Sequence, residues 1–506
     1  MKPRHLYLIV LGLTLSLVIF AGRPPVAEQA ALVNYVESSA GLELRMEGGR
    51  TEVELGDANA DGHVDIVSIG DHGSPFVNTN EHGVMVWFGD GQGGWSLFQS
   101  GDFGYGGIAL GDVNDDGLMD VGYAMHHNYS GNDLGDQLIE VALGDGSGRA
   151  WTPWDDGLAT NGEDWGMFGT DFADVDNDGD LDVASISFGC CSGIHVYLNQ
   201  GDGTWTQSFA IDNGNSQQDV AFGDVNGDGN ADLVMGYQNA TVLTGDGAGG
   251  FSPADGNLPP GGLLGRSGTS VGDINGDGRD EIAFCGSGAP QVWQWSGPNT
   301  WVNLTGRLSR LSGCQATQLA DMDGDGLGDV VMYRSGGVLI AGGNGAGLWR
   351  PLASFPTPGG EYAAMRVGDA DHNGRPDIAL IADEGGSFNS KNRLRFWKDT
   401  SVATALSVRP LKPVGGETWR AGSVHFVDWA TAVPVGLFSS VNLELSTDGP
   451  DGPWTAIASG LPDNGRYQWL IPASTPASTN CYLRLTAQAG EGTAVALTEA
   501  FTIETP

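Results

Sequence analysis

The stretch Asp174-Val175-Asp176-Asn177-Asp178-Gly179-Asp180-Leu181-Asp182 constrains the chain most, because its pattern of oxygen-bearing side chains occurs seven times in all. Oxygens at positions 1, 3, 5 and 9 converge on one hard cation, a backbone carbonyl serves at position 7, and glycine at position 6 takes the sharp bend. The copies are Asp57, Asn59, Asp61, Asp65; Asp112, Asn114, Asp116, Asp120; Asp174, Asp176, Asp178, Asp182; and Asp224, Asn226, Asp228, Asp232. They continue with Asp273, Asn275, Asp277, Glu281; Asp321, Asp323, Asp325, Asp329; and Asp369, Asp371, Asn373, Asp377. This donor set implies about seven bound Ca2+, with the three-carboxylate loops weaker than the all-aspartate loops at Asp174 and Asp321.

A helix-flanked EF-hand needs a bidentate Glu at position 12. Here that position holds Ser68, Tyr123, Ser185, Met235, Phe284, Met332 and Leu380, so the EF-hand is excluded. Apolar pairs such as Ile66-Val67, Leu233-Val234 and Val330-Val331 follow the loops and indicate strands. Loop starts are 55, 62, 50, 49, 48 and 48 residues apart, the length of one four-stranded propeller blade. The expected fold is therefore all-β: a seven-bladed β-propeller with calcium-binding loops. Gly-Asp-Gly turns (Gly89-Asp90-Gly91, Gly144-Asp145-Gly146, Gly201-Asp202-Gly203, Gly245-Asp246-Gly247) join third and fourth strands. The aromatics after these turns and their counterparts, Trp95, Trp151, Trp205, Phe251, Trp301 and Trp349, are assigned to packing between blades.

Over residues 42 to 400 this pattern resembles the FG-GAP (VCBS-type) repeats of integrin alpha-subunit propellers and of bacterial proteins with the same repeat. The resemblance implies metal loops on the lower face, between first and second strands, and ligands taken on the opposite face. Blade 7 lacks a clear fourth strand, and the N-terminal stretch 42–46 is expected to supply it and close the ring.

Residues 1–30 combine Lys2 and Arg4 with an apolar run from Leu6 to Gly22, the pattern of an export signal. Cleavage is favoured over an uncleaved N-terminal anchor, the only membrane attachment envisaged. The expected location is secreted or cell surface, with the propeller over 31–400. Residues 401–412 read as a linker. From 413 to 506, short strands and the turns Thr447-Asp448-Gly449 and Asp463-Asn464-Gly465 predict a small β-sandwich. Its Gly415-Gly416-Glu417-Thr418-Trp419 start and Leu445-Ser446-Thr447-Asp448-Gly449 turn resemble an Ig/fibronectin-III-like module of secreted bacterial proteins.

The formal charge of −40, from 63 acidic and 23 basic residues, argues against a nucleic-acid partner. Twenty-three of the 63 acids are loop ligands, and seven calcium ions would bring the charge to −26. Five cysteines are too few for a disulfide scaffold. Cys285 and Cys314 fit a disulfide or two buried thiols, and the adjacent Cys190 and Cys191 fit a vicinal disulfide or free thiols.

No catalytic constellation stands out. Gly268-Thr269-Ser270-Val271-Gly272 matches a nucleophile elbow but runs into the loop at Asp273 as a strand, and the G-x-G-x-x-G matches at Gly89 and Gly245 lie in hairpins. The candidate ligand residues are in the lengthened connections of blades 1 and 2 and between blades: His72, His82, Tyr105, His126, His127, Tyr129 and Trp165, with Phe103 and Phe168 nearby. The expected function is recognition or adhesion toward an extracellular protein or glycan. The alternatives are a lectin or lyase-like enzyme on the same propeller, as in some polysaccharide lyases and a fungal lectin that it resembles, and a purely architectural surface protein.

Overall fold

The computed structural model describes residues 33–43, 52–70, 82–104, 106–125, 132–163, 167–187, 193–211, 219–235, 242–259, 269–285, 288–334, 336–359, 363–382 and 393–506. Among the described residues, seven four-stranded antiparallel sheets follow one another along the chain. Sheet 1 consists of Val53–Gly56, Asp65–Ile69, Val84–Gly89 and Trp95–Ser100. The first strands of sheets 2 to 6 are Ile108–Gly111, Met167–Ala173, Val220–Gly223, Ser270–Gly272 and Cys314–Ala320. Sheet 7 starts with Ala363–Gly368. Second strands such as Asp65–Ile69 and Asp182–Ser187 are buried at every residue, as expected when other sheets cover both faces.

Each first strand neighbours the first strand of the next sheet, and that of sheet 7 neighbours that of sheet 1. This order is a propeller-type arrangement, with first strands innermost. It also explains a polar set not singled out in the sequence. An innermost strand has an unpaired edge whose N–H groups need acceptors. Glu52 accepts from Ile108 N (3.1 Å) and Thr170 N (3.2 Å), Asp171 from Phe222 N (2.8 Å), and Asp219 from Thr269 N (2.9 Å). Glu54 pairs with Arg366 across the junction of sheets 1 and 7.

The last sheet is completed from the N-terminal side by Tyr35–Glu37, which pairs antiparallel with Arg393–Asp399. The expected strand 42–46 is displaced: Leu42 is 1% exposed and packs into the core between sheets 1 and 7 without joining a strand, and residues 44–46 lie outside the described residues. Tyr35 OH donates to Pro376 O (3.1 Å), and the Trp95 indole N–H reaches Ser38 O (3.1 Å). Other aromatics at the same point do likewise. Trp205, Trp301 and Trp349 donate to Trp154 O, Ala254 O and Leu304 O, so they tie outer strands to the preceding sheet.

Ser407–Lys412 is a strand, where a linker was expected, and forms a three-stranded sheet with Val424–Ala432 and Arg466–Leu470. A second sheet includes Thr418–Arg420, Phe501–Glu504, Ser478–Ala489, Ser439–Ser446 and Thr455–Pro462. Val427, Trp429 and Trp469 from the first sheet share one core with Leu443, Leu485 and Phe501 from the second, which makes a sandwich. Cys285 and Cys314 form a disulfide between sheets 5 and 6, with 5.2 Å between their Cα atoms. Cys481 is buried and free, while Cys190 and Cys191 lie outside the described residues. Among the described residues no helix is long and apolar enough to cross a membrane. The N-terminal segment 1–30 lies outside them.

Candidate metal loops and the face they form

Every acidic loop joins the first and second strands of its sheet, and all seven are built alike. The position-1 aspartate accepts two backbone N–H groups across the turn: Asp112, for example, accepts from Asp116 (3.1 Å) and Gly117 (2.7 Å). The position-6 glycines all have positive φ, from 81° to 103°. Position 4 is left-handed as well, in Ala60, Asp115, Asn177 and His372 and in glycines elsewhere. Strain of this kind in residues with a Cβ marks a site held by its surroundings. No pattern announces it in advance, since position 4 carries no common residue type.

The position-9 carboxylates are buried and clamp two segments. Asp65, Asp120, Asp182, Asp232, Asp329 and Asp377 each accept the N–H of loop position 2 with one oxygen. The other oxygen accepts an N–H at or just beyond the end of the third strand, on Gly89, Gly144, Asn199, Gly245, Gly343 or Asp399. In loop 5 the longer Glu281 bonds Ile274 N and the Asn275 amide. Burial pushes Asp65, Asp232, Asp329 and Glu281 up to about 8 and Asp120 up to about 7. Hydrogen bonds from the backbone only partly oppose it.

Where position 3 is aspartate, three carboxylates offer oxygens within 4.8 Å of one another: Asp174, Asp176 and Asp182; Asp321, Asp323 and Asp325; and Asp369, Asp371 and Asp377. In loop 3, the buried Asp176 Oδ1 has no hydrogen-bond partner. An all-oxygen, anionic set around a glycine turn fits a hard divalent cation. In loops 1, 2 and 4, the position-3 Asn side chain instead donates to the position-5 carboxylate, at 2.8, 3.1 and 2.9 Å. A further acidic group, Asp136, Glu140 and Asp155 in sheet 2, was not legible in the sequence; Tyr123 OH donates to Glu140 at 2.6 Å, and burial raises Glu140 to about 8.

The sandwich touches all seven loops. Asn464 approaches Asp57 (3.5 Å), Gln468 Nε2 donates to Asp112 O (2.6 Å), and Val424 N donates to Asp174 Oδ2 (2.9 Å). Arg409 pairs with Asp321 (2.5 Å), and Val433 N donates to His372 O (2.8 Å). At loops 4 and 5 the sandwich backbone comes so close that a Cβ on Gly229 would stand 2.7 Å from Thr418 O, and one on Gly278 2.1 Å from the Gly416 carbonyl carbon. There glycine is required by the close approach as well as by φ.

Of the candidate ligand residues, His82 is the one that falls among the described residues. His72, Tyr105, His126, His127, Tyr129 and Trp165 lie outside the described residues. His82 is engaged in a strand connection, with Nδ1 2.6 Å from Gly101 O and its N–H on Gln99. Phe103 and Phe168 are core residues, 0% and 1% exposed.

Residues 174–235, 273–332 and 321–380 match the FG-GAP-like repeat. The chain carries FG-GAP-like repeats. A search of curated proteins finds no match. Among solved structures, an Agrocybe aegerita lectin that recognises non-reducing terminal N-acetylglucosamine is 17% identical, over 62% of this chain and 80% of that one, with a TM-score of 0.40. The NanB sialidase of Streptococcus pneumoniae is 11% identical, over 75% and 71%, with a TM-score of 0.34. The V. cholerae biofilm matrix protein Bap1 is 12% identical, over 69% and 77%, with a TM-score of 0.26. Likeness at this level assigns no ligand.

Proposed function

We propose that this chain is an exported, calcium-stabilised seven-bladed propeller with an Ig-like C-terminal module, acting as a recognition or adhesion module for an extracellular protein or glycan. One observation carries the reading: the acidic loops are engaged by the chain's own sandwich, which leaves the opposite face of the ring for a ligand. The loops in this reading stabilise rather than catalyse, since each ion ties two strands and offsets repulsion among carboxylates. The Cys285–Cys314 disulfide suits an oxidising compartment outside the cytoplasm.

Thermal unfolding in calcium and in excess chelator, with bound metal counted by elemental analysis, tests the stabilising role. One site at a calcium concentration of 100 Kd contributes about 2.7 kcal/mol, so several sites give a large fall in Tm on chelation. An unchanged Tm with no bound calcium overturns it. Arrays of glycans and extracellular proteins, probed with the calcium-loaded chain, test recognition. Binding retained when the loop face stays covered supports the opposite-face site, and turnover of a bound glycan would replace recognition with catalysis.

A further inference from the structure

Loops 3 and 6 have the same four aspartates and opposite surroundings. Loop 3 receives a neutral backbone N–H from Val424 and leaves Asp176 Oδ1 without a partner. Loop 6 receives two arginines. Arg409, from the sandwich strand Ser407–Lys412, places Nη1 2.5 Å from Asp321 Oδ2. Arg350, from the fourth strand of sheet 6, places Nη2 2.6 Å from Asp323 Oδ2 and 3.4 Å from Asp325 Oδ2. These are the three carboxylates that gather at the loop.

Resting on the calcium reading above, we propose that loop 6 holds no metal while the sandwich is docked, because Arg409 and Arg350 occupy its ligand oxygens and supply its positive charge. Two guanidinium groups carry the charge of one divalent ion, and each meets the loop through one nitrogen, Nη1 of Arg409 and Nη2 of Arg350, in charge-assisted hydrogen bonds. A cation arriving at Asp321, Asp323 and Asp325 must displace both. Among the described residues, no Arg or Lys pairs with a ligand carboxylate of loops 1 to 4. Loop 7 has a single contact, Lys398 to Asp371 (2.6 Å), and in loop 5 Arg279 reaches Asp277 from within the loop (2.7 Å). Among the described residues, only loop 6 has both position 1 and position 3 taken by arginines from other elements. The sandwich, through Arg409, thus supplies one of the two counter-charges of loop 6, and Arg350 of sheet 6 supplies the other.

The test is the calcium count of the full chain after equilibrium dialysis, by elemental analysis. Asp323→Asn with Asp325→Asn leaves the count unchanged, Asp176→Asn with Asp178→Asn lowers it by one, and Arg350→Gln with Arg409→Gln raises it by one. A loss of one ion in the loop 6 aspartate variant overturns the proposal, as does the absence of a gain in a folded arginine variant. Should the arginine variant fail to fold, the loop 6 aspartate variant decides alone. No calcium in the unaltered chain is a different failure, which overturns the calcium reading and this inference together.

Discussion

At the scale of single residues, the position-9 carboxylate does two jobs that mutation can separate. Asp232 is fully buried and holds Val225 N (3.0 Å) and Gly245 N (2.9 Å). In Asp232→Ala both N–H groups lose their acceptor inside the protein, at a cost of about 1–3 kcal/mol each. Asp232→Asn keeps one acceptor and is expected to lose about half as much. Because the clamp is made by the backbone of the chain itself, the loss should persist in chelator. Denaturant midpoints measured with and without calcium check this; a loss seen only with calcium would mean that the side chain serves the ion alone.

The loop as an element couples protons to metal. Without an ion, burial raises Asp65, Asp120, Asp232 and Asp329 to about 7 or 8, and Asp182 and Asp377 well above the ordinary aspartate value, so the metal-free fold favours their neutral forms. A carboxyl raised in this way gives stability that is complete below the ordinary aspartate value and lost as pH rises through 7 to 8. Calcium needs the ionised form, so its protection grows over the same range. Melting in chelator should therefore fall from pH 6 to pH 9, while the gap between calcium and chelator widens; a gap that narrows would contradict the coupling. The disulfide is the other device that joins elements, tying the residue just after the second strand of sheet 5 to the first strand of sheet 6 across 29 residues. A closed loop of that length restricts the unfolded chain by about 3–4 kcal/mol, the loss expected for Cys285→Ser with Cys314→Ser in denaturant unfolding.

For the whole molecule, the repeat was legible because a cation site demands fixed residue types at fixed spacing, and because strands announce themselves by runs such as Ile66-Val67. The cover over the loops was not. Arg409 meets Asp321 across 88 residues and Asn464 meets Asp57 across 407, and nothing in an ordinary surface Arg or Asn declares such a partner. The closing strand was hidden for another reason. Tyr35-Val36-Glu37 is too short for periodicity to register, whereas the alternation in Leu42-Glu43-Leu44-Arg45-Met46 looked more strand-like although Leu42 serves the core. That short strand completes the last four-stranded sheet. It covers the edge of Arg393–Asp399 in register from Tyr35 opposite Asp399 to Glu37 opposite Trp397, and Glu37 pairs with Arg395. Deleting residues up to Ser39 would expose that edge, remove the Tyr35 bond to Pro376 beside loop 7 and the acceptor of the Trp95 indole, and leave sheets 1 and 7 joined through their shared apolar core, with Trp95 against Phe396, and the Glu54–Arg366 pair. Hydrogen exchange of the sheet 7 and sheet 1 amides in the full chain and in the deletion measures this directly. Protection in the full chain and its loss from both sheets 7 and 1 in the deletion would show that three residues close the ring, whereas loss confined to sheet 7 would mean that the remaining sheets hold as an open array.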